Sequence, residues 1–334
     1  MAHFEIDHAG PLITIQDKGR TGFMRFGVTP SGPMDRVAYL AAHHALGADL
    51  GAAIEISMGG LSISCQEGQV SACITGGDFK ITLDGEILPS WSIFTLRQGS
   101  RLQVQAGKWG SWCYLVFAGK MIVPTWLDSA STHVGSDLCG TPLSVGNIIT
   151  VEDCYLPNLM TGQVFDPKLF KPQSQIRIVL GPQDHFFTSQ SVQDLQNEKF
   201  ILTKDFNRQG VRLNGPKLKI IHALDMPSEP VGRGSLQVPG HGDPICLLAD
   251  HQTTGGYPKI ATVISADQDK LSQMRSGDKI FFKVVSVEAA IVAAKIAHEV
   301  EHSFYHIIKD SQKSLEEKLW NSNLVSGIVS DINS

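Results

Sequence analysis

The 334-residue chain has no uninterrupted apolar stretch near the ~20 residues that a membrane-spanning helix needs, and no membrane partner is expected. It has no C-x-x-C pair. Its six cysteines (Cys65, Cys73, Cys113, Cys139, Cys154 and Cys246) stand at wide, irregular spacings, which gives no support to zinc or dithiol chemistry. They read as reduced, buried thiols, and the expected compartment is the cytoplasm. Basic residues are not clustered: 28 Lys and Arg are scattered among 33 Asp and Glu, for a net charge of −5. A phosphate-tracking surface needs clustering, so nucleic acid is not an expected partner. His3, Glu5 and Asp7 precede any apolar run, so no secretory leader is expected in the first ten residues. Also missing are a G-x-x-x-x-G-K-[ST] phosphate loop, a recognisable kinase set and a biotin-attachment segment of the Ala-Met-Lys-Met type.

What is present is enough apolar material for packed cores, 42% of residues against 18% charged, over a length that suggests two domains. Short β-branched runs dominate. In the first half strands are predicted at Leu12–Ile15, Ile54–Ser57, Leu61–Cys65, Ser71–Thr75, Lys80–Leu83, Ser92–Leu96, Arg101–Gln105, Trp112–Phe117 and Ile148–Val151. Glycine-rich turns separate most of them, a pattern that argues for a barrel or sandwich. One helix interrupts this half, with Asp35 as N-cap, Val37, Leu40, Ala41 and His44 on its packed face, and Gly47 as its stop. A Pro-rich polar stretch around 156–175 marks a boundary. Strands resume at Ile176–Leu180, Val211–Leu213, Lys217–Ile221, Ser235–Val238, Ile245–Ala249, Ile260–Ile264 and Lys279–Val285, with helices after Asp184 and over Asp267–Ser276. The expected architecture is mainly β: a barrel-type domain over 1–156, a second barrel-type domain over 173–287, a few short helices and a helical tail over 288–334. The tail's stripe of Ile296, Val300, Phe304, Ile307, Ile308, Leu315 and Leu319 is amphipathic and needs a surface to pack on, either a partner or a second copy of the chain.

That tail contains His298-Glu299-Val300-Glu301-His302, a match to the H-E-x-x-H zinc motif. A third ligand is required. His306 is one turn further, but three successive turns span about 12 Å and cannot converge on one tetrahedral ion. Metal is therefore not expected, and the histidines read as a solvated helix face.

Two other segments carry more chemistry. In the first, Asp17-Lys18-Gly19-Arg20-Thr21-Gly22 follows a strand, and Pro30-Ser31-Gly32-Pro33-Met34-Asp35 leads into the helix. Glycines there allow close backbone approach around Arg20, which suits an anion; alternatively Asp17 and Arg20 pair to pin the turn and Asp35 simply caps. In the second, Asp250-His251-Gln252-Thr253-Thr254-Gly255-Gly256-Tyr257-Pro258-Lys259 lies between two apolar strands. A purely structural turn does not need so many hydrogen-bonding side chains, whereas a polar site at a barrel rim does.

The T-I-Q-D-x-G-R-x-G … S-G-P-M-D element, Gly181-Pro182-Gln183-Asp184 and A-D-x-Q-T-T-G-G-Y-P-K-I-A-T-V-I together resemble the allophanate hydrolase subunit 2 family of biotin-dependent carboxyltransferases, from about residue 4 to 290. Departures occur at Phe206-Asn207-Arg208-Gln209-Gly210, at His251, and at Asp128-Ser129-Ala130-Ser131-Thr132, where a frequent positive charge is missing. The resemblance implies cyclophilin-like barrel domains and membership of a multi-subunit enzyme acting on a small amide. The expected enzyme is an ATP-dependent 5-oxoprolinase, in which the partners are a KipI-like B subunit and a LamB/YcsF-like A subunit. The alternatives are a KipA-type regulator that binds a kinase inhibitor and the carboxyltransferase half of a urea carboxylase-like enzyme. ATP is then used by the complex, not held by this chain alone. In that site Arg20 and Lys259 would neutralise a substrate carboxylate or phosphate, with Asp35 and Asp250 orienting them or accepting protons. Asp17, Ser31, Gln252, Thr253, Thr254 and Tyr257 would hold the small substrate. His251 replaces the family's usual arginine, which leaves a titrating and a spectator role both open.

Overall fold

Side-chain alternation starts the fold at Ala2–Ala9, where Phe4 and Ile6 are fully buried and Glu5 and Asp7 at the alternate positions stay partly exposed. This strand is absent from the pattern-based prediction, because ionisable residues fill its outward positions. The structure, a computed structural model, describes residues 1–157, 161–165, 170–221 and 226–311. Ala2–Ala9 sits in a seven-stranded sheet between Ile148–Glu152 and Leu61–Glu67, antiparallel to both; Arg101–Gln105 and Lys80–Leu83 continue it. A six-stranded sheet faces it, with Gln69–Gly76 and Trp112–Phe117 at its centre and Ala53–Ser57 and Thr14–Gln16 toward one edge. Phe4 stacks on Phe117 at 5.0 Å between ring centroids, so one aromatic pair ties the two sheets into a single core.

The second half is a closed barrel. Around it run Gln175–Leu180, Lys259–Val263, Ser235–Gln237, Ile245–Leu247, Gly210–Asn214, Lys199–Phe206 and Lys279–Val284. Gln175–Leu180 pairs in parallel with Lys279–Val284 to close the ring, and Ile176, Ile178, Phe200, Leu202, Val211, Leu213 and Ile280 fill it.

Helix α1 (Arg36–Leu46) begins as predicted: Asp35 Oδ1 accepts from Ala38 N at 3.0 Å, and Gly47 ends the helix at φ 61°. Its packed face differs from the predicted one. His43 is buried, with Nδ1 2.9 Å from the Tyr39 carbonyl, while His44 lies at the exposed edge and stacks on Tyr305 at 4.5 Å. Helix α2 (Ser189–Asn197) is capped by Thr188. Helix α3 (Ser265–Ser272) starts earlier than expected, and Asp267 does not cap it. That carboxylate instead takes a bidentate pair from Arg177 at 2.8 Å, the stronger partner for a buried charge. Helix α4 (Val287–Ser311) folds back on the first half, where Phe304 sits among Trp91, Phe165 and Phe170. The remainder of the predicted tail helix, with Leu315, Glu316, Glu317 and Leu319, lies outside the described residues. Among the described residues no helix is long and apolar enough to cross a membrane, and all six cysteines are free thiols.

Candidate functional site at the domain junction

The turn after Thr14–Gln16 is held by Asp17. Its carboxylate accepts from Ser129 Oγ (2.6 Å), Ser131 Oγ (2.7 Å), Ala130 N (2.7 Å) and Gly19 N (2.9 Å). Burial pushes this carboxyl up, but the Ser129 and Ser131 hydroxyls and the Ala130 and Gly19 amides outweigh it and hold it below the ordinary aspartate value. Asp17 therefore fixes the 129–131 strap and not Arg20. Gly19 has φ 84°, and a Cβ there would fall 2.7 Å from the Pro30 carbonyl that accepts from Arg20 N, so only glycine lets the two loops touch.

Arg20 itself is 1% exposed. Its Nη2 donates to the Ser131 carbonyl and lies 3.0 Å from Cys139 Sγ, and Trp126 flanks the guanidinium at 5.8 Å. Its Nε and Nη1 are buried without a hydrogen-bond partner among the described residues. Leaving donors of a buried cation unmade costs more than most unsatisfied groups. A carboxylate or phosphate oxygen is the charged acceptor that such a free N–H donor calls for.

The loop that carries Ser31 (φ 51°) is gripped from the second domain. Arg208 Nη2 donates to the Gly32 carbonyl at 2.6 Å, Arg233 Nη1 to the Pro33 carbonyl at 3.0 Å, and Ser272 Oγ to the Met34 carbonyl at 2.6 Å. Behind this loop lies a buried charge chain. Arg208 makes a bidentate pair with Asp250, both contacts 2.9 Å, and a second pair with Glu55 of the first domain. Glu55 Oε2 accepts from Tyr114 Oη and Met34 N, each at 2.8 Å, and Tyr114 Oη accepts from Asp35 N at 2.8 Å. Burial opposes the Arg208 charge, but Asp250 and Glu55 reverse that effect and raise its pKa. Asp35 completes the junction, with Oδ2 accepting from Gln273 Nε2 at 2.7 Å. Burial and the neighbouring Asp269 push this carboxyl up to about 7, against the pull of Ala38, Gln273 and Arg233.

The 250–259 segment forms a third group. Lys259 is buried, and its Nζ meets Glu229 Oε2 at 3.1 Å and the Pro230 carbonyl at 3.3 Å. Gln183 braces the same spot, donating to Glu229 at 2.6 Å and accepting from Lys259 N at 3.0 Å. Thr253 accepts through its carbonyl from Val231 N, and Thr254 pairs with Pro230 in a two-stranded ribbon. Gln252 Nε2 donates to Gln237 Oε1 at 2.9 Å. The Gln252, Thr254 and Tyr257 side chains reach the surface. His251 is buried with Nδ1 2.6 Å from the Gln252 carbonyl, and burial lowers its pKa, which favours neutral imidazole.

The carboxyltransferase domain, subdomain A and B, family profile matches residues 26–284. The chain belongs to that family. It is 34% identical to the C subunit of the Haemophilus influenzae 5-oxoprolinase, covering 83% of this chain and 89% of that one. It is 31% identical to the C subunit of the Escherichia coli strain K12 5-oxoprolinase, covering 95% and 97%. The fold is similar to that of the Kluyveromyces lactis urea carboxylase, with a TM-score of 0.81 at 25% identity over 95% of this chain. This chain spans 30% of that much longer protein.

Within this carboxyltransferase-domain chain, the predicted residues fall into three groups: Asp17, Arg20 and Ser31 in the first loop, Asp35 and Asp250 in the buried chain, and Gln252, Thr253, Thr254, Tyr257 and Lys259 at the barrel rim. Of the two predicted cations, Arg20 keeps free donors, while the Lys259 ammonium is matched by Glu229. Sequence reasoning missed Glu55, Arg208, Arg233, Gln273 and Glu229. Glu55 had a readable signal, a lone carboxylate among Ala53, Ile54 and Ile56 in the strand Ala53–Ser57, whose residues are all buried.

Asp17→Ala removes four accepting contacts to a charged oxygen pair and is expected to cost about 2–4 kcal/mol. Because the folded pKa is depressed, the stability Asp17 supplies is full above the unfolded value of about 3.9 and is lost as pH falls through the lower folded value. The variant should therefore lose stability at pH 7 and show a shallower acid decline. Urea unfolding at several pH values tests this, and an unchanged midpoint at pH 7 would refute it.

Proposed function

We propose that this chain is the C subunit of an ATP-dependent 5-oxoprolinase, a hydrolase that opens 5-oxoproline to L-glutamate together with a KipI-like B subunit and a LamB/YcsF-like A subunit. The observation that carries this reading is the near end-to-end match to two proteins named as 5-oxoprolinase C subunits, 89% and 97% of their lengths, against 30% of the urea carboxylase chain. The six free thiols suit a reducing cytoplasm.

A lactam is a resonance-stabilised amide and a poor electrophile. Transfer of the ATP γ-phosphoryl group to the amide oxygen releases ADP and makes that oxygen a leaving group. Water then adds to the ring carbon, the C–N bond opens to the free amine and leaves γ-glutamyl phosphate, and a second water hydrolyses that acyl phosphate to L-glutamate and phosphate. Such chemistry asks the protein mainly to position groups and match charge. Arg20, with two buried donors unmade, is assigned to the anionic group, the substrate carboxylate or the transferring phosphoryl. Exposed Gln252, Thr254 and Tyr257, with Thr253 and half-buried Ser31, are assigned to the small amide. Asp250 and Lys259 act through Arg208 and Glu229 to hold their loops, and Asp35 fixes the start of α1. The sequence carries no phosphate loop, and ATP is assigned to the complex, where the partner proteins supply the rest of the site.

Co-expression with the A and B subunits tests the proposal. ADP and glutamate should form together, only with 5-oxoproline, and only when this chain is included. Partner binding without turnover would instead favour a KipA-type regulator, and a demand for bicarbonate and biotinylated protein would favour a carboxyltransferase.

A further inference from the structure

Scattered exposed aliphatic side chains are ordinary on protein surfaces, but a continuous row is not. Helix α4 carries such a row: Val292, Ile296, Val300 and Ile307 are each 54–56% exposed. The adjoining face, through Phe304, Tyr305 and Ile308, is already packed on the first domain. Between the exposed row and the body runs an apolar groove of about 1010 Å³, with Phe165, Phe170 and Ala266 on its far wall and Arg177, Lys270 and Glu299 at its rim. The family profile ends at residue 284, just before α4.

We propose that this face is the interface with a second copy of the chain, through antiparallel pairing of the two α4 helices. The residues on the groove side, Ala289, Ala293, Ile296, Val300, Ser303 and Ile307, are spaced alternately by four and three, the seam of a two-helix pairing. The seam is also self-complementary. A two-fold axis at position 298 sets Ile296 against Val300 of the second copy, Ala293 against Ser303, and Ala289 against Ile307. Large side chains meet at the centre, small ones let the backbones approach in the next layer, and each outer layer joins one of each. A closed two-fold interface requires this kind of self-match. The four half-exposed side chains leave roughly 350 Å² of apolar surface per copy, so helix pairing alone buries about 700 Å², and the facing groove wall of Phe165, Phe170 and Ala266 has to supply the rest of the roughly 1,000 Å² that marks the lower limit of a specific interface.

The test uses the full chain. Sedimentation equilibrium should give a dimer for the wild type, and Ile296→Glu with Val300→Glu should raise the dissociation constant at least 30-fold with an unchanged circular dichroism spectrum, since both side chains are more than half exposed in the single copy. Ala293→Cys combined with Ser303→Cys should give a disulfide-linked dimer under oxidation, well above either single cysteine variant. A monomeric wild type at 100-fold the concentration of a typical micromolar interface, about 100 µM, would overturn the proposal. So would a dimer indifferent to the double glutamate variant, or a chain cut after Ser311 that dimerises when the full chain does not. That last outcome would mean that residues 312–334 cover the groove.

Discussion

Arg208→Met is expected to destabilise the protein by about 3–5 kcal/mol, the cost of leaving two buried carboxylates without their cation. Glu55 and Asp250 are 0% and 2% exposed at their side chains, so water cannot take over. Because Arg208 also holds the Gly32 carbonyl, the loss falls on the contact between the two domains as well as on the barrel. Urea unfolding followed by tryptophan fluorescence and circular dichroism should show the midpoint fall, and the two probes should separate as the domains uncouple. Adding Glu55→Gln and Asp250→Asn to Arg208→Met should recover part of the loss, since neutral amides do not demand a cation. A loss below about 1 kcal/mol in Arg208→Met would show that the chain of charges contributes little.

The second large effect concerns turnover. In the reconstituted enzyme, Arg20→Lys should lower kcat/KM for 5-oxoproline by about 10²–10³-fold, in line with the removal of one donor set aimed at a reacting anion. A lysine keeps the charge but not the planar spread of separate N–H donors, of which Nε and Nη1 are the unpaired ones. The kcat to KM split tells which anion is met. A rise in KM alone points to the substrate carboxylate, and a fall in kcat points to the transferring phosphoryl group. The same variant should bind its partner proteins as before and unfold within about 1–2 kcal/mol of the wild type, because the Ser131, Cys139 and Trp126 contacts are what the folded chain stands to lose. Unchanged kcat and KM would remove Arg20 from the site.

Much of the fold was legible because it rests on local rules. Asp35 and Gly47 marked α1 through capping and a left-handed stop, and glycine-spaced β-branched runs located most strands. The first strand was not legible, because its outward positions are His3, Glu5 and Asp7, and polar residues at every second place hide the strand until the inward Phe4 and Ile6 are seen together. Asp267 was misassigned as a cap because a tertiary partner, Arg177, outcompetes a local amide. The site was legible in its motifs but not in its pairings. The sequence put Arg20 and Lys259 on equal terms, and only the fold reveals that Glu229, thirty positions earlier, neutralises one while the other keeps two donors free. Likewise Asp17 looked like the natural partner of Arg20, yet the serines that claim it lie more than a hundred residues away.

Arg20 facing an anion in an enzyme that consumes 5-oxoproline is the central claim, and substrate choice tests it most directly. The complex of this chain with the A and B subunits should be offered 5-oxoproline in one reaction and urea with bicarbonate in another, with ADP release followed in both. ADP release is expected with 5-oxoproline alone, one glutamate per ADP, with near-complete loss in Arg20→Lys. Release driven by urea and bicarbonate, or 5-oxoproline turnover that ignores the Arg20 variant, would contradict the claim.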